Sequence, residues 1–211
     1  MAHFCKRRSH IEEITGCGEG YIILEKIRIL AIVGSLRKGS LNRQLALAAK
    51  ELVGERADFK LLEYGDIPLM NQDIEFPPPD AVKRVRDEVK SADAVWFFTP
   101  EYNHFFPGVL KNLIDWLSRP ISNKERAILA GKPAAISGIS PGMSGTVTAQ
   151  DHLVTLISFL NMDVMNAPRL TIPYAMQQTD NQGKLVLNEI SQPDLEKQVN
   201  AFMDFVGGRM R

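Results

Sequence analysis

The chain has 211 residues, 45% of them hydrophobic, and its 25 acidic and 25 basic side chains give a formal net charge of zero. This balance argues against a nucleic-acid binder dominated by phosphate contacts, and weakly against a strongly acidic electron carrier. The length suits one domain with a sizeable core, and no apolar run approaches the roughly 18 residues that span a bilayer.

The first 25 residues differ from the rest of the chain. Residues 3–10 are basic, and the Gly-rich stretch that follows has neither a periodic pattern nor the apolar run of a signal peptide. We expect an appended extension over residues 1–25, with a functional basic arm as the alternative, and one domain over residues 26–211. The extension holds both cysteines, Cys5 and Cys17, in no disulfide or zinc pattern. This favours a reduced, cytoplasmic setting.

Apolar runs and helical periodicity alternate along the remaining chain. Strands are predicted at 27–33, 57–62, 94–99, 132–137 and around 164–170. Helices are predicted at 43–53, 79–90, 108–117, 147–160 and 194–206. This alternation predicts an α/β fold, a three-layer sandwich with a five-stranded parallel sheet in the flavodoxin-like order 2-1-3-4-5. In such a sheet, ligands bind beyond the carboxyl ends of the strands.

A basic, hydroxyl-rich turn joins the first strand to the first helix. It contains Ser35, Arg37, Ser40 and Asn42, and the unpaired N–H groups of the helix lie beside it. These donors and the helix dipole favour an anion. The turn lacks the spacing of a Walker loop and the three glycines of a dinucleotide fingerprint. Hydroxyls with one arginine suit a terminal monophosphate such as that of FMN; the alternative is an ordinary turn capped by Ser or Asn.

Two further turns follow the third and fourth predicted strands. Residues 99–104 join a proline to an exposed aromatic side chain, Tyr102, and an amide, Asn103. Residues 138–145 form a Gly-rich loop with few side chains, which lets the backbone approach a ligand. Because the carboxyl ends of parallel strands share one edge, all three turns are expected to converge there. A flavin would find a flat wall in Tyr102 and polar groups for its edge nearby.

The spaced motifs resemble the NADPH-dependent FMN reductase family, which includes chromate and quinone reductases. The similarity spans roughly residues 26–205, and its matching segments are 34–42, 99–103, 107–118, 130–133 and 164–168. The resemblance implies bound FMN, NADPH or NADH as co-substrate, and electron transfer to quinones or to flavin, chromate or azo compounds. It also implies homodimers or homotetramers. A small-molecule electron acceptor is the expected partner, with no nucleic acid, membrane or metal.

By this resemblance, the phosphate is held in the first turn, the isoalloxazine ring is bordered by the second, and the third lines its other polar edge. The expected cofactor-binding residues are Ser35, Arg37, Ser40, Leu41, Asn42, Pro100, Glu101, Tyr102, Asn103, His104, Ser140 and Gly142. No catalytic side chain is expected, since the flavin N5 carries the hydride. Two departures from the family pattern are Phe105, where relatives often have Ser, and Gly145-Thr146, where a Gly-Gly pair is common.

Two rival functions share this topology. A non-enzymatic electron carrier or flavin-binding regulator stays open, although carriers of this fold usually display an acidic face. A phospho-receiver domain needs acidic residues after the first and third strands. Those places hold Val33-Gly34 and Thr99-Pro100, which excludes it.

Overall fold

The computed structural model describes residues 26–120, 125 and 127–210. The predicted extension over residues 1–25 lies outside this described part. In the residues described, no helix combines the length and the apolar character needed to cross a membrane.

Strands and helices alternate as the sequence predicts. The strands are β1 (Ile27–Val33), β2 (Ala57–Leu61), β3 (Ala94–Phe98), β4 (Pro133–Ile139), β5 (Asp163–Val164) and β6 (Leu170–Ile172). The helices are α1 (Leu41–Val53), α2 (Asp80–Ser91), α3 (Gly108–Ser118), α4 (Val147–Phe159) and α5 (Ser191–Met210). Short 3-10 turns lie at Gly54–Arg56, Gln72–Ile74 and Ala175–Gln178.

The sheet has the predicted order, β2-β1-β3-β4-β5, and each of its neighbouring strands is parallel. The central strands β1, β3 and β4 are buried on both faces, as expected for a sheet covered by helices on each side. The flavodoxin-like fold is therefore confirmed. The turns after β1, β3 and β4 leave the sheet at one edge.

The fifth strand is predicted as a single segment around 164–170, and the structure differs from this prediction. Two short strands share its place: β5 pairs with the start of β4, and β6 pairs with the end of β4. Residues 165–169 between them contain Pro168, which lacks an N–H to donate to a ladder. The backbone therefore leaves the sheet and returns further along β4.

Two apolar cores lie on opposite faces of the sheet. One packs α1 and α5 against side chains such as Trp96 and Phe98. The other packs α2, α3 and α4 against the alternate side chains, such as Val95 and Phe97. Trp96 stacks on Phe98 with ring centroids 5.3 Å apart. Side chains along β3 alternate between the two faces of the sheet, so this strand contributes to both cores. The alternation also fixes the register of the sheet.

Candidate functional site

The turn after β1 presents unpaired donors at the start of α1. Ser40 caps the helix, since its Oγ accepts a hydrogen bond from the Arg43 N–H at 3.2 Å. The N–H groups of Leu41 and Asn42 precede the first intrahelical bond, which runs from Gln44 to the Ser40 carbonyl. These two N–H groups remain available to an anion, and the positive end of the helix dipole adds to the attraction.

Arg37 supplies the positive charge of this turn. It is exposed and forms no ion pair within the described part of the chain. Its guanidinium folds back over Gly39, where a Cβ would come within 3.1 Å of Nη1. Ser35 lies beside it, and the Ser35 Oγ is 3.4 Å from the Arg37 N–H. The donor set of this turn therefore fits a terminal phosphate.

Asn42 has a structural partner that its sequence position does not reveal. Its Nδ2 donates to the Ile139 carbonyl at 2.9 Å, and its Oδ1 accepts from the Ile139 N–H at 3.1 Å. Asn42 is buried, and 97 residues separate it from Ile139. The side chain thus ties the first turn to the end of β4, and its backbone N–H is the group left for a ligand.

The turn after β3 forms a tight hairpin with its tip at Asn103 and His104. Tyr102 and Phe105 exchange both backbone hydrogen bonds, at 2.9 and 3.0 Å. The tip residues have φ values of 52° and 61°, the positive values that a type I′ turn requires at both central positions. Asparagine and histidine are among the non-glycine residue types that adopt this conformation most often. The hairpin leaves Tyr102 54% exposed at the edge of the sheet.

Glu101 spans the second turn and the start of α4. Its side chain is only 8% exposed, and its Oε2 accepts from the Ala149 N–H at 3.0 Å. A carboxylate at this position satisfies a free donor and interacts favourably with the helix dipole. Its Oε1 lies 3.5 Å from the exposed His104 imidazole. The carboxylate predicted to border the flavin thus anchors the hairpin to α4.

Ser140 in the third turn is engaged inside the protein. Its hydroxyl donates to the Gly145 carbonyl, its N–H to the Ile172 carbonyl, and its own carbonyl accepts from the Ala175 N–H. These bonds tie the loop after β4 to the segment after β6. Gly142 is exposed, and its carbonyl accepts from the N–H groups of Gly145 and Tyr174. The backbone of Gly142 is thus the more accessible part of this loop.

Tyr174 was not anticipated from the sequence. It follows β6, has a φ of 51°, and is 43% exposed beside Gly142. A positive φ at a non-glycine residue is uncommon and is a signal of a functional turn. Nothing in the sequence around Tyr174 marks a ligand-binding turn, so only the backbone conformation shows it.

Close backbone packing joins the three turns. A Cβ on Gly138 would lie 2.2 Å from the Thr146 Oγ1 and 2.3 Å from the Thr99 carbonyl oxygen, so no side chain fits there. A Cβ on Gly34 would be 3.2 Å from the Pro100 Cδ. Pro100, predicted at the flavin edge, is buried in this packing. The predicted turns are therefore in contact with one another at the carboxyl edge of the sheet.

Among the described residues, no group of His, Cys, Asp or Glu side chains is arranged to hold a metal ion. His152 is an exposed residue of α4 and stacks on Phe105. Trp116 is a core residue: it is buried, and its indole N–H donates to the Pro68 carbonyl at 2.9 Å.

A flavodoxin-like sheet with backbone donors and an arginine in the turn after its first strand is typical of nucleotide-binding α/β proteins. Residues 27–177 match the model of the NADPH-dependent FMN reductase family. A quinone reductase of Pseudomonas putida KT2440 is 41% identical over 179 residues, covering 84% of this chain and 94% of the relative. An NAD(P)H-dependent FMN reductase of Pseudomonas aeruginosa is 40% identical over 185 residues, covering 86% and 96%.

Among solved structures, FerB of Paracoccus denitrificans, described as a flavoenzyme NAD(P)H:(acceptor) oxidoreductase, matches with a TM-score of 0.77. It is 36% identical, and the match covers 86% of this chain and 98% of that one. The chain belongs to the NADPH-dependent FMN reductase family. This membership confirms the predicted enzyme class and FMN as the cofactor with a reduced nicotinamide, against the alternative of a non-enzymatic carrier.

Proposed function

We propose that this protein is an FMN-dependent oxidoreductase that passes electrons from NADH or NADPH to a quinone or a similar small acceptor. The observation that carries the proposal is the contact of the three turns at one edge of the sheet. Among the described residues, the Arg37 side chain and the N–H groups of Leu41 and Asn42 have no partner in the first turn, and the second turn exposes aromatic side chains. The relatives named as quinone reductases support the acceptor class.

The first turn would hold the FMN phosphate. Arg37 would pair with it through charge-assisted hydrogen bonds, with Ser35 as a further donor. The N–H groups of Leu41 and Asn42 would meet it at the helix N-terminus. Ser40 already accepts from Arg43 and keeps its O–H to donate. The Asn42 side chain shapes the cradle through Ile139 instead of contacting the phosphate.

The second and third turns would border the isoalloxazine ring. Tyr102 offers an exposed aromatic face, while Asn103 and His104 present backbone groups at the tip of the hairpin. Glu101 holds the hairpin against α4. Gly142 would bring backbone to the pyrimidine end of the ring, with Ser140 bracing the loop through its internal bonds.

Bound FMN would supply the redox chemistry, namely hydride acceptance from the reduced nicotinamide and two-electron reduction of the acceptor, with the further proton of a hydroquinone product taken from water. The chain's contribution is to bind the phosphate, place the ring beside Tyr102, and leave one side accessible to both substrates. No side chain is required as a general acid or base for hydride transfer.

The oligomeric state, the location and the role of residues 1–25 complete the proposal. We expect a homodimer or homotetramer, as the resemblance to the FMN reductase family implies. A cytoplasmic location is supported by the two cysteines in no disulfide pattern. Residues 1–25 are an extension outside the domain of residues 26–211, consistent with a family match that starts at residue 27.

The test begins with FMN titration of the purified protein, followed by flavin fluorescence and visible absorption. We expect saturable binding, and bleaching of the oxidised-flavin bands by NADH or NADPH without oxygen. Steady-state oxidation of the nicotinamide with a quinone should then proceed over many turnovers. Folded protein that shows no saturable FMN binding would refute the proposed cofactor site, and binding without nicotinamide oxidation would refute the reductase activity.

A further inference from the structure

Phe105 connects the hairpin after β3 to α4. Its ring stacks on the His152 imidazole, with centroids 4.4 Å apart and planes inclined by 29°. It also contacts Phe106, at a centroid separation of 4.5 Å. Phe106 is buried in the core, whereas Phe105 remains 42% exposed. The ring of Phe105 is thus fixed in position while a large part of it still faces outward.

Tyr102 and Phe105 present their side chains on the same face of the hairpin. They form a hydrogen-bonded pair of opposite residues, and such pairs place their side chains side by side with Cα atoms about 5.5 Å apart. Both side chains are exposed. The flavin wall offered by Tyr102 is therefore extended by a second aromatic surface next to it.

We propose that Phe105, held by His152, forms a wall of the acceptor site and selects acceptors with two fused rings, such as naphthoquinones, over those with a single ring. This inference rests on the proposed function. A single ring is covered by the flavin alone, whereas a second fused ring reaches the exposed Phe105 next to Tyr102. Aromatic pairs in offset or edge-to-face contact are favourable beyond the area they bury. His152 is a positioning residue, because it acts by holding the Phe105 ring.

The stacking on His152 distinguishes Phe105 from an apolar side chain that is exposed by chance. A scattered exposed hydrophobic residue is normal on a protein surface. Phe105, however, is held by an aromatic partner from a helix 47 positions further along the chain. Fixing a ring in advance lowers the entropy lost when a ligand packs against it.

The test compares Phe105→Ser with the wild type, using 2-methyl-1,4-naphthoquinone, 1,4-benzoquinone and ferricyanide as acceptors. For the naphthoquinone, kcat/KM relative to ferricyanide should fall by about three- to tenfold, mainly through KM. The same ratio for benzoquinone should fall less. Phe159→Ser is the matched control, since it makes the same change at an exposed ring at the far end of α4.

A second readout measures binding without turnover. Calorimetric titration of the FMN-loaded, oxidised protein with 2-naphthol should give a Kd that rises about three- to tenfold in Phe105→Ser. The Kd should stay at the wild-type value in Phe159→Ser. His152→Ala should weaken 2-naphthol binding less than Phe105→Ser does, and His152→Phe should restore it by supplying another stacking ring.

FMN titration of each variant separates this inference from the proposed function. A wild-type protein that binds no FMN would refute both the proposed function and this inference. If FMN binds normally but Phe105→Ser lowers kcat/KM equally for all three acceptors, Phe105 is not a selective wall. Unchanged 2-naphthol binding in Phe105→Ser, or loss of FMN from that variant alone, would also overturn the assignment.

Discussion

Replacing Asn42 with alanine tests how the phosphate turn is built. The side chain makes two hydrogen bonds to the backbone of Ile139, at 2.9 and 3.1 Å, and both residues are buried. Asn42→Ala leaves the Ile139 N–H and carbonyl without these partners. We therefore expect the protein to lose stability even when no FMN is present.

The expected loss follows from the two backbone groups left without partners. Each unsatisfied buried group costs about 1–3 kcal/mol. Entry of water into the space vacated by the side chain offsets part of this cost. The free energy of unfolding should thus fall by about 2–4 kcal/mol. With a urea m-value of about 2 kcal/mol/M, the unfolding midpoint should fall by about 1–2 M.

Gln44→Ala provides a matched control on the same helix. Its amide also bonds a backbone carbonyl and an N–H, those of Gly183 and Leu185, at 3.3 and 2.7 Å. These bonds lie at a more exposed position, where water can replace the side chain, so the loss should stay below about 1 kcal/mol. Urea unfolding of the FMN-free proteins, followed by circular dichroism, measures both variants.

Equal unfolding midpoints for Asn42→Ala and Gln44→Ala would refute the reasoning. Should Asn42→Ala instead retain its stability and lose FMN affinity, the side chain would be a phosphate ligand. The loss of stability and the loss of affinity thus distinguish the two roles of Asn42.

Three further predictions concern the same edge of the sheet. Arg37→Ala should raise the Kd for FMN by at least about tenfold, from the loss of about 1.5–3 kcal/mol, while Lys38→Ala changes it less. Glu101→Gln should lower stability by about 0.3–1 kcal/mol by removing the charge at the start of α4. Burial raises the pKa of the Tyr64 phenol well above its usual range, with Glu63 adding to the effect. At a pH at which this phenol ionises in the unfolded chain, it therefore stays neutral in the folded protein. As a result, the free energy of unfolding falls as pH rises above about 10. Tyr64→Phe should reduce this fall.

Fluorescence titration with FMN measures the first of these predictions, and equal losses for the two cationic variants would contradict it. Thermal unfolding at neutral pH measures the second, and an unchanged Tm would argue against a charged cap. Thermal unfolding from pH 8 to 11 measures the third. The same alkaline decline in Tyr64→Phe as in the wild type would show that the phenol does not contribute to it.

The predicted architecture depended on patterns that are local in sequence. Buried strands such as β3 read as unbroken apolar runs, and their alternation with amphipathic helices implies a parallel sheet. The fifth strand was the exception. Its interruption between β5 and β6 depends on how residues 165–169 pass β4, which a short apolar segment does not specify.

The sequence by itself determined the class of fold and the positions of the turns at one edge, and it marked Arg37 as a candidate anion-binding residue. Those features depend on periodicity, on helix termini and on side-chain type. The tertiary structure alone decided which polar groups remain free. Asn42, Glu101 and Ser140 carry suitable atoms, yet their side chains bond Ile139, Ala149 and Gly145. Since the Asn42 and Glu101 partners lie 97 and 48 residues away, their bonds exist only once the sheet has brought the turns together.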